Sequence, residues 1–311
     1  MVNRFHFQFP ASAEILLALA LWGAGLWGVA AGNAYILQNL YFFAWYPYIL
    51  FLDGLLCRLQ GRAWLRHRPG AFLRLGLWSV TVWFIFEAAN LVLKNWAYVG
   101  LTSAWWLRWP GYVLAFATVL PGILLTAQVL ETLGAWGGVR GRPRRAGLAW
   151  QPLSLLLGTA SLVLPLAFPR YAFPLVWVAF FFLLDPLSAL LGGDSLIARF
   201  LKGERRQHLC LLTAGLICGL WWEFWNSLAT AKWVYTLPVL NFCKIFEMPV
   251  LGYLGFLPFA LEAAVMYNFA KALESRVLTT PRRRRRAWLV QGAFWFLMCA
   301  ALDAWTVISY Q

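Results

Sequence analysis

Long apolar stretches separated by short polar segments dominate this chain. Nine stretches approach the length, roughly 20 residues, that a helix needs to cross a membrane. They lie near residues 14–34, 41–57, 71–93, 109–135, 152–168, 171–192, 208–229, 247–271 and 287–308. The pattern therefore predicts an all-α polytopic membrane protein with about nine transmembrane helices.

The two halves of the chain carry the same group of polar and aromatic residues. In each half a Glu and an Asn lie three residues apart on one face of an apolar helix, and a Trp-x-Tyr segment follows the helix end. The first copy consists of Glu87, Asn90, Trp96 and Tyr98, and the second of Glu223, Asn226, Trp233 and Tyr235. An acid at the centre of a membrane helix costs roughly 2.5–3.5 kcal/mol, so two acids in matching places indicate a duplicated functional unit.

Further matches extend this duplication along the chain. Asp53 near the end of the second span corresponds to Asp185 near the end of the sixth, and a Leu-Pro pair recurs at Pro121 and Pro258. Four spans return the chain to the same side, which predicts two parallel four-helix repeats plus one C-terminal helix. The predicted divisions are a first repeat at 1–136, a basic linker at 137–151, a second repeat at 152–275 and a basic loop with the ninth helix at 276–311.

Composition and charge agree with a membrane protein. The chain is 62% hydrophobic and only 12% charged, whereas soluble domains carry about 25% charged residues. Its net charge of +14 does not indicate a nucleic-acid partner, because the arginines are concentrated in alternate loops. That pattern predicts a multi-pass protein of the cell membrane, with the N-terminus cytoplasmic, the C-terminus outside and the arginines beside anionic lipid headgroups. The basic loops are centred on residues 58–68, 140–145, 199–206 and 282–286.

The same topology places the polar residues by depth. The Glu and Asn of both copies fall in the outer half of the membrane. Asp53 and Asp185 fall near the cytoplasmic face, where a structural role at a helix end or beside an arginine is favoured. In the ninth span, Asp303 is predicted to be a partner of Lys94 or Lys232.

Two buried carboxyls are the candidate catalytic groups. Glu223 and its counterpart Glu87 are predicted to act on a ligand, and the alternative is that each hydrogen-bonds a neighbouring Asn and Trp to hold helices together. The sequence lacks HExxH, GxSxG, P-loop, Rossmann and CxxC motifs in a workable context, so no metal or cofactor is predicted. The predicted substrate-binding residues are Asn90, Asn226, Trp96, Tyr98, Trp222, Trp225, Trp233, Tyr235 and Glu247.

The second copy resembles a known membrane-protein unit. Trp222-Glu223, the Trp233-Val234-Tyr235 segment and Pro249 opening a Phe-rich helix resemble the lycopene cyclase domain of integral-membrane carotenoid cyclases. That family also carries two tandem copies, each with a Trp-Asp near a helix end. The resemblance covers residues 171–272 and, more faintly, 41–135. It implies an isoprenoid or carotenoid substrate and cofactor-independent acid-catalysed cyclisation or isomerisation.

The chain departs from that family after the proline. The family has an acidic pair there, and this chain reads Pro249-Val250-Leu251-Gly252, with no acid after Pro110 in the first copy either. Glu247, and Glu223 in place of the family's Asp, are the nearby carboxyls.

Three functions of different classes remain open from the sequence. The first is binding or conversion of a hydrophobic isoprenoid or similar lipid, with Glu223 as general acid and Asn226 and Asn90 orienting the two carboxyls. The second is a transporter with a polar pathway between the third and seventh spans. The third is a scaffold or assembly subunit in which the acids only join helices. The sequence leaves the oligomeric state open.

Overall fold

Nine membrane-length helices form the body of the protein. The computed structural model describes residues 11–144 and 150–311. Within them, nine helices are long and apolar enough to cross a membrane, which confirms the predicted number. These spans are Ala11–Ala30, Leu40–Gln60, Pro69–Leu93, Trp105–Thr132, Trp150–Ala167, Pro169–Leu190, Arg206–Leu228, Val250–Arg276 and Pro281–Trp305. Residues 1–10 of the predicted first repeat and 145–149 of the predicted linker lie outside the described residues.

Short helices and strands connect the spans. The helices are α1 (Ala11–Ala30), α2 (Ala34–Gln38), α3 (Leu40–Gln60), α4 (Trp64–His67), α5 (Pro69–Leu93), α6 (Trp105–Phe116), α7 (Val119–Thr132), α8 (Trp150–Ala167), α9 (Pro169–Ala172), α10 (Val176–Leu190), α11 (Leu196–Leu201), α12 (Arg206–Leu228), α13 (Tyr253–Arg276) and α14 (Pro281–Trp305). The strands are β1 (Trp96–Val99), β2 (Lys232–Tyr235), β3 (Lys244–Ile245) and β4 (Met248–Pro249). The fourth span thus consists of two helices, α6 and α7.

Local sequence explains where several spans begin and end. Pro69 and Pro281 occupy the first turns of α5 and α14, where a missing backbone N–H removes no helical hydrogen bond. The Thr280 side chain caps α14 by accepting from the Arg283 N–H at 3.3 Å. Helix α3 ends at Gln60 and is capped by Gly61, whose φ of 68° suits glycine. The Gly61 N–H donates to the Cys57 carbonyl at 2.9 Å.

The two matching aspartates have the same structural role in both halves. The Asp53 carboxylate accepts the Trp64 N–H at 2.7 Å, at the start of α4. The Asp185 carboxylate accepts the Leu196 N–H at 2.7 Å, at the start of α11, and the Ser195 hydroxyl at 2.5 Å. Each aspartate therefore satisfies backbone donors of a short helix at the arginine-rich end of the bundle, as the helix-end interpretation predicted.

The two Trp-x-Tyr segments pair with each other. Strands β1 and β2 form an antiparallel ribbon in which Trp96 lies opposite Tyr235 and Tyr98 lies opposite Trp233. The sequence placed these segments beyond the helix ends but did not predict a strand, because four residues give too short a pattern to identify one. We call the end of the bundle that carries β1 and β2 the ribbon end.

The segment after the ninth span extends this ribbon. The Tyr98 N–H donates to the Thr306 carbonyl and the Ile308 N–H donates to the Tyr98 carbonyl, both at 2.8 Å. Further along, the Gln311 N–H donates to the Leu101 carbonyl at 2.7 Å. Residues 306–311 therefore satisfy the edge of β1 that β2 leaves free.

Aromatic pairs join the two halves inside the bundle. The rings of Trp45 and Trp222 lie 5.0 Å apart between centroids, and those of Phe86 and Trp177 lie 5.2 Å apart in a stacked arrangement. Each pair takes one ring from each half of the chain. Large aromatic rings bury much apolar surface, so these contacts help to hold the two halves together.

Asp303 pairs with a cation other than the two expected. Its carboxylate accepts Arg108 Nε at 2.8 Å and Arg108 Nη2 at 2.5 Å. The Trp109 indole and the Tyr112 hydroxyl donate to the same carboxylate at 2.7 and 3.0 Å. The prediction of Lys94 or Lys232 as partner was wrong, because an arginine inside the fourth span reaches α14 with two parallel hydrogen bonds.

This ion pair generates a test of packing. The Arg108 side chain is 7% exposed and that of Asp303 is 17% exposed, so replacing only one leaves a nearly buried charge without its partner. We expect Arg108→Leu or Asp303→Leu to lower the free energy of unfolding by about 3–5 kcal/mol, and the double replacement to cost less than either. Thermal unfolding of the purified protein measures this. The half-exposed Arg74, 3.8 Å from Glu274, is the control: Arg74→Leu should cost about 0–1 kcal/mol. A double variant less stable than both single variants would contradict the prediction.

Candidate functional site

A cavity of about 820 Å³ lies against the ribbon, between the two halves of the chain. Helices α2, α3, α5, α6 and α7 of the first half and α10, α12 and α13 of the second all contribute to its walls. Its volume falls within the range of about 300–1,000 Å³ that is usual for small-molecule sites. The lining is mainly apolar and rich in Trp, Tyr and Phe.

One face of the ribbon forms an aromatic wall of this cavity. Trp96 and Tyr98 alternate along β1 and therefore point to the same side, and Tyr235 and Trp233 lie directly opposite them on β2. All four side chains belong to residues that line the cavity. The paired motifs thus bring four of the predicted substrate-binding residues together.

Two asparagines fix the ribbon to the helix ends. Asn90 donates to the Trp96 carbonyl at 2.9 Å and accepts from the Trp96 N–H at 3.3 Å. Asn226 donates to the Trp233 carbonyl at 2.8 Å and accepts from the Trp233 N–H at 2.9 Å. Neither asparagine lines the cavity. Their amides bind ribbon backbone rather than the carboxyls that they were expected to orient.

The first of the two carboxyls is held by three donors. Glu87 is fully buried, and its Oε1 accepts from the Tyr98 hydroxyl at 2.5 Å, the Trp83 indole at 2.9 Å and the Trp96 indole at 3.1 Å. Glu87 is not among the residues that line the cavity. Its carboxyl therefore binds the aromatic wall to α5 from behind.

The second carboxyl is held more loosely and lines the cavity. Glu223 is also fully buried, but its Oε1 accepts only from the Tyr235 hydroxyl, at 2.7 Å. The Trp233 indole donates to that hydroxyl at 3.1 Å instead of to the carboxyl. One helical turn before Glu223 the chain has Gly219, where the first half has Trp83. Oε2 of Glu223 has no hydrogen-bond partner among the described residues, and the same is true of Oε2 of Glu87. The two carboxyls differ in position, because Glu223 lines the cavity and Glu87 does not.

Both tyrosines beside these carboxyls remain hydrogen-bond donors. Burial, and next the adjacent Glu87, raise the pKa of Tyr98 well above its ordinary value. The same two causes, with Glu223 as the neighbour, raise the pKa of Tyr235. Each phenol therefore stays protonated and donates its O–H to the carboxyl.

The charges at the cavity are balanced. Arg108 and Lys232 belong to its lining. Arg108 is bound by Asp303, and Lys232 donates to Glu247 at 2.6 Å. Glu247 was predicted to bind substrate, and it instead lies in this ion pair without lining the cavity. Among the described residues, no group of three His, Cys, Asp or Glu side chains could hold a metal ion.

Of the two remaining residues that were predicted to bind substrate, one lines the cavity and the other does not. Trp222 lines the cavity, whereas Trp225 stacks on Trp221 with centroids 5.8 Å apart and is not part of the lining. Sequence reasoning missed Asn95 and Gln38, which also line the cavity. Asn95 directly precedes Trp96 of the motif, and this position is the feature of the sequence that could have identified it as a cavity residue.

Comparisons with known proteins found no match to this chain. No protein-family model matches, no curated protein is detectably similar, and no solved structure is similar. The resemblance to the lycopene cyclase domain therefore stays a prediction that depends on the sequence motif.

The unequal environments of the two carboxyls predict unequal effects on stability. Glu87→Leu removes the acceptor of three buried donors, and Glu223→Leu removes the acceptor of one. Each unsatisfied donor costs about 1–3 kcal/mol, so we expect Glu87→Leu to lower the melting temperature clearly more. Thermal unfolding in one detergent compares the two variants. Equal losses of melting temperature would contradict the prediction, because they would show that the number of donors does not determine how much each carboxyl contributes to stability.

Proposed function

We propose that the protein binds an elongated isoprenoid-type lipid in the cavity and acts on it by acid catalysis through Glu223. The observation that carries this proposal is a single buried carboxyl with an unpartnered oxygen in the wall of a large aromatic cavity. The motif resemblance to carotenoid cyclases points to the same class of substrate.

The arrangement supports a reaction that needs no cofactor. The Glu223 carboxylic acid gives its proton to one carbon of a C=C bond, whose electron pair forms the new C–H bond and leaves a carbocation on the other carbon. A second double bond of the same molecule attacks that carbocation and closes a ring. The resulting cation then loses a neighbouring proton to the Glu223 carboxylate, so the product is an isomer of the substrate. The surrounding Trp and Tyr faces stabilise the cation and exclude water.

The proposal includes two parallel repeats that contribute unequally. Three observations support the repeats: the antiparallel pairing of the two motifs, the matching Asp53 and Asp185 caps, and the two aromatic pairs between halves. An axis along the membrane normal through the ribbon relates such copies. In this arrangement Glu87 holds the wall and Glu223 performs the chemistry.

A lipid substrate also fits the way in which the cavity opens. Trp106, Leu107 and Leu114 of α6 line the cavity and yet are 63%, 61% and 49% exposed. Because α6 is part of the fourth span, we expect these apolar side chains to face lipid. A hydrophobic ligand therefore enters sideways from the membrane along α6.

The packing favours this function over transport. Transport needs a polar pathway that continues toward the arginine-rich end. In that direction Val80 of α5 and Leu120 and Ile123 of α7 are apolar and fully buried. The polar groups at the same level have partners inside the bundle: the Ser79 hydroxyl donates to the Phe116 carbonyl, and Glu262 accepts the Phe180 N–H, both at 2.5 Å. Packing of this kind favours binding and chemistry at the ribbon end.

The catalytic assignment is tested by the products formed from acyclic isoprenoids. Membranes containing the protein are incubated with lycopene and, separately, with geranylgeraniol, and the extracts are analysed by liquid chromatography with mass detection. We expect a product of unchanged mass and different retention, and at least about 100-fold less of it with Glu223→Gln, because a general acid typically contributes 10²–10⁴-fold.

Glu131→Gln is the control for this experiment, because Glu131 lies outside the cavity and its replacement should leave the yield unchanged. Full activity of Glu223→Gln would refute the assignment of the acid.

The cavity itself is tested by filling it. A Cβ added at Gly111 meets no atom within 4 Å, and Gly111 lines the cavity. We therefore expect Gly111→Trp to fold normally and to abolish ligand binding and product formation, as measured with the same lipids.

Gly23 of α1 is the matched control. It also has nothing within 4 Å of an added Cβ but does not line the cavity, so Gly23→Trp should behave as the unmodified protein. Unimpaired binding by Gly111→Trp would show that the ligand lies elsewhere.

A further inference from the structure

Asn95 is a buried polar side chain without a partner. It is 2% exposed and lines the cavity. Neither its Oδ1 nor its Nδ2 has a hydrogen-bond partner among the described residues, although its backbone N–H donates to Asn90 at 2.8 Å. An amide left in this state costs free energy that a partner would recover.

Two further unpartnered oxygens belong to the same cavity. Gln38 donates through Nε2 to the Gly100 carbonyl at 2.8 Å, and its Oε1 has no partner. Glu223 Oε2 is the other. Native proteins pair nearly all buried polar groups. Three of the nine described residues with an unpartnered buried polar atom line this one cavity, and a ligand that supplies hydrogen-bonding atoms would satisfy them.

The charge balance limits what that polar group can be. Both cations of the lining already have carboxylate partners, Arg108 with Asp303 and Lys232 with Glu247. A phosphate or diphosphate would bring negative charge into an apolar cavity that offers no unpaired cation, beside the carboxyl of Glu223. A plain hydrocarbon, in contrast, would leave the Asn95 amide unsatisfied.

We infer that the ligand is a neutral oxygenated isoprenoid, an alcohol or a ketone, whose oxygen is bound by the Asn95 side chain while its chain lies along the aromatic wall. An alcohol suits Asn95 best, because a hydroxyl both donates to Oδ1 and accepts from Nδ2. This inference rests on the proposed function and narrows its substrate class. It adds Asn95 as the residue that selects an oxygenated ligand over a hydrocarbon.

The test compares three ligands that differ only in their polar end. Purified protein in detergent is equilibrated with tritiated geranylgeraniol, which is displaced by unlabelled geranylgeraniol, by the hydrocarbon with a methyl group in place of the hydroxymethyl group, or by geranylgeranyl phosphate. We expect the alcohol to bind roughly 10–100-fold more tightly than the hydrocarbon, as a hydrogen bond to a buried and otherwise unpaired group allows. We expect the phosphate to bind more weakly than the alcohol.

Variants then assign the preference to Asn95. Asn95→Leu keeps a similar volume without hydrogen-bonding atoms, so it should lose the preference for the alcohol and bind the hydrocarbon at least as well as before. Asn268→Leu replaces a buried asparagine of α13 that does not line the cavity, and it should keep the preference.

The possible failures are distinguishable. Equal binding of alcohol and hydrocarbon, tighter binding of the phosphate, or an alcohol preference that survives in Asn95→Leu would each overturn this inference while leaving isoprenoid binding intact. Binding of none of the three ligands to the unmodified protein would refute the proposed function and the inference together.

Discussion

The pairing of a short β-ribbon with the ends of two membrane helices is the constraint on which the rest of the structure depends. Backbone groups near an apolar environment need partners inside the protein, and a two-stranded ribbon has two free edges. Asn90 and Asn226 bind the ribbon backbone to the helix ends, and residues 306–311 cover the outer edge of β1. Because the ribbon is held in this way, its four aromatic side chains all face the same side, where they form a wall of the cavity.

Equivalent positions in the two halves have acquired different environments. Trp83 donates to Glu87, whereas Gly219 stands at the corresponding place before Glu223, against the ring of Phe256. Glu87 is consequently bound by three donors behind the aromatic wall, whereas Glu223 accepts from one donor and lines the cavity. Two matching carboxyls can thus take different positions, because the neighbours of each one decide whether it is bound behind the wall or lines the cavity.

The sequence predicted the features that depend on local composition and missed those that depend on tertiary pairing. Hydrophobic length identified the nine spans, and the acids inside them marked Glu87 and Glu223. The sequence could not predict that Trp96 lies opposite Tyr235, because pairing between two distant strands leaves no periodic pattern in either strand. Asp303 was assigned to lysines because loop charges are visible in a sequence, whereas the distance from α14 to Arg108 is not. Asn95 was missed for the same reason, since its lack of a partner is a property of the folded surroundings.

The two strands of the ribbon come from distant parts of the chain and are therefore synthesised at different times. Strand β1 follows the third span and strand β2 follows the seventh, so four further spans enter the membrane between synthesis of the two strands. During that interval Asn90 and β1 have been synthesised, while the opposite wall does not yet exist. The cavity is therefore completed late, after most of the helices have been inserted. Membrane lipid has to leave this space, or be retained in it, as the second half of the chain closes over the first.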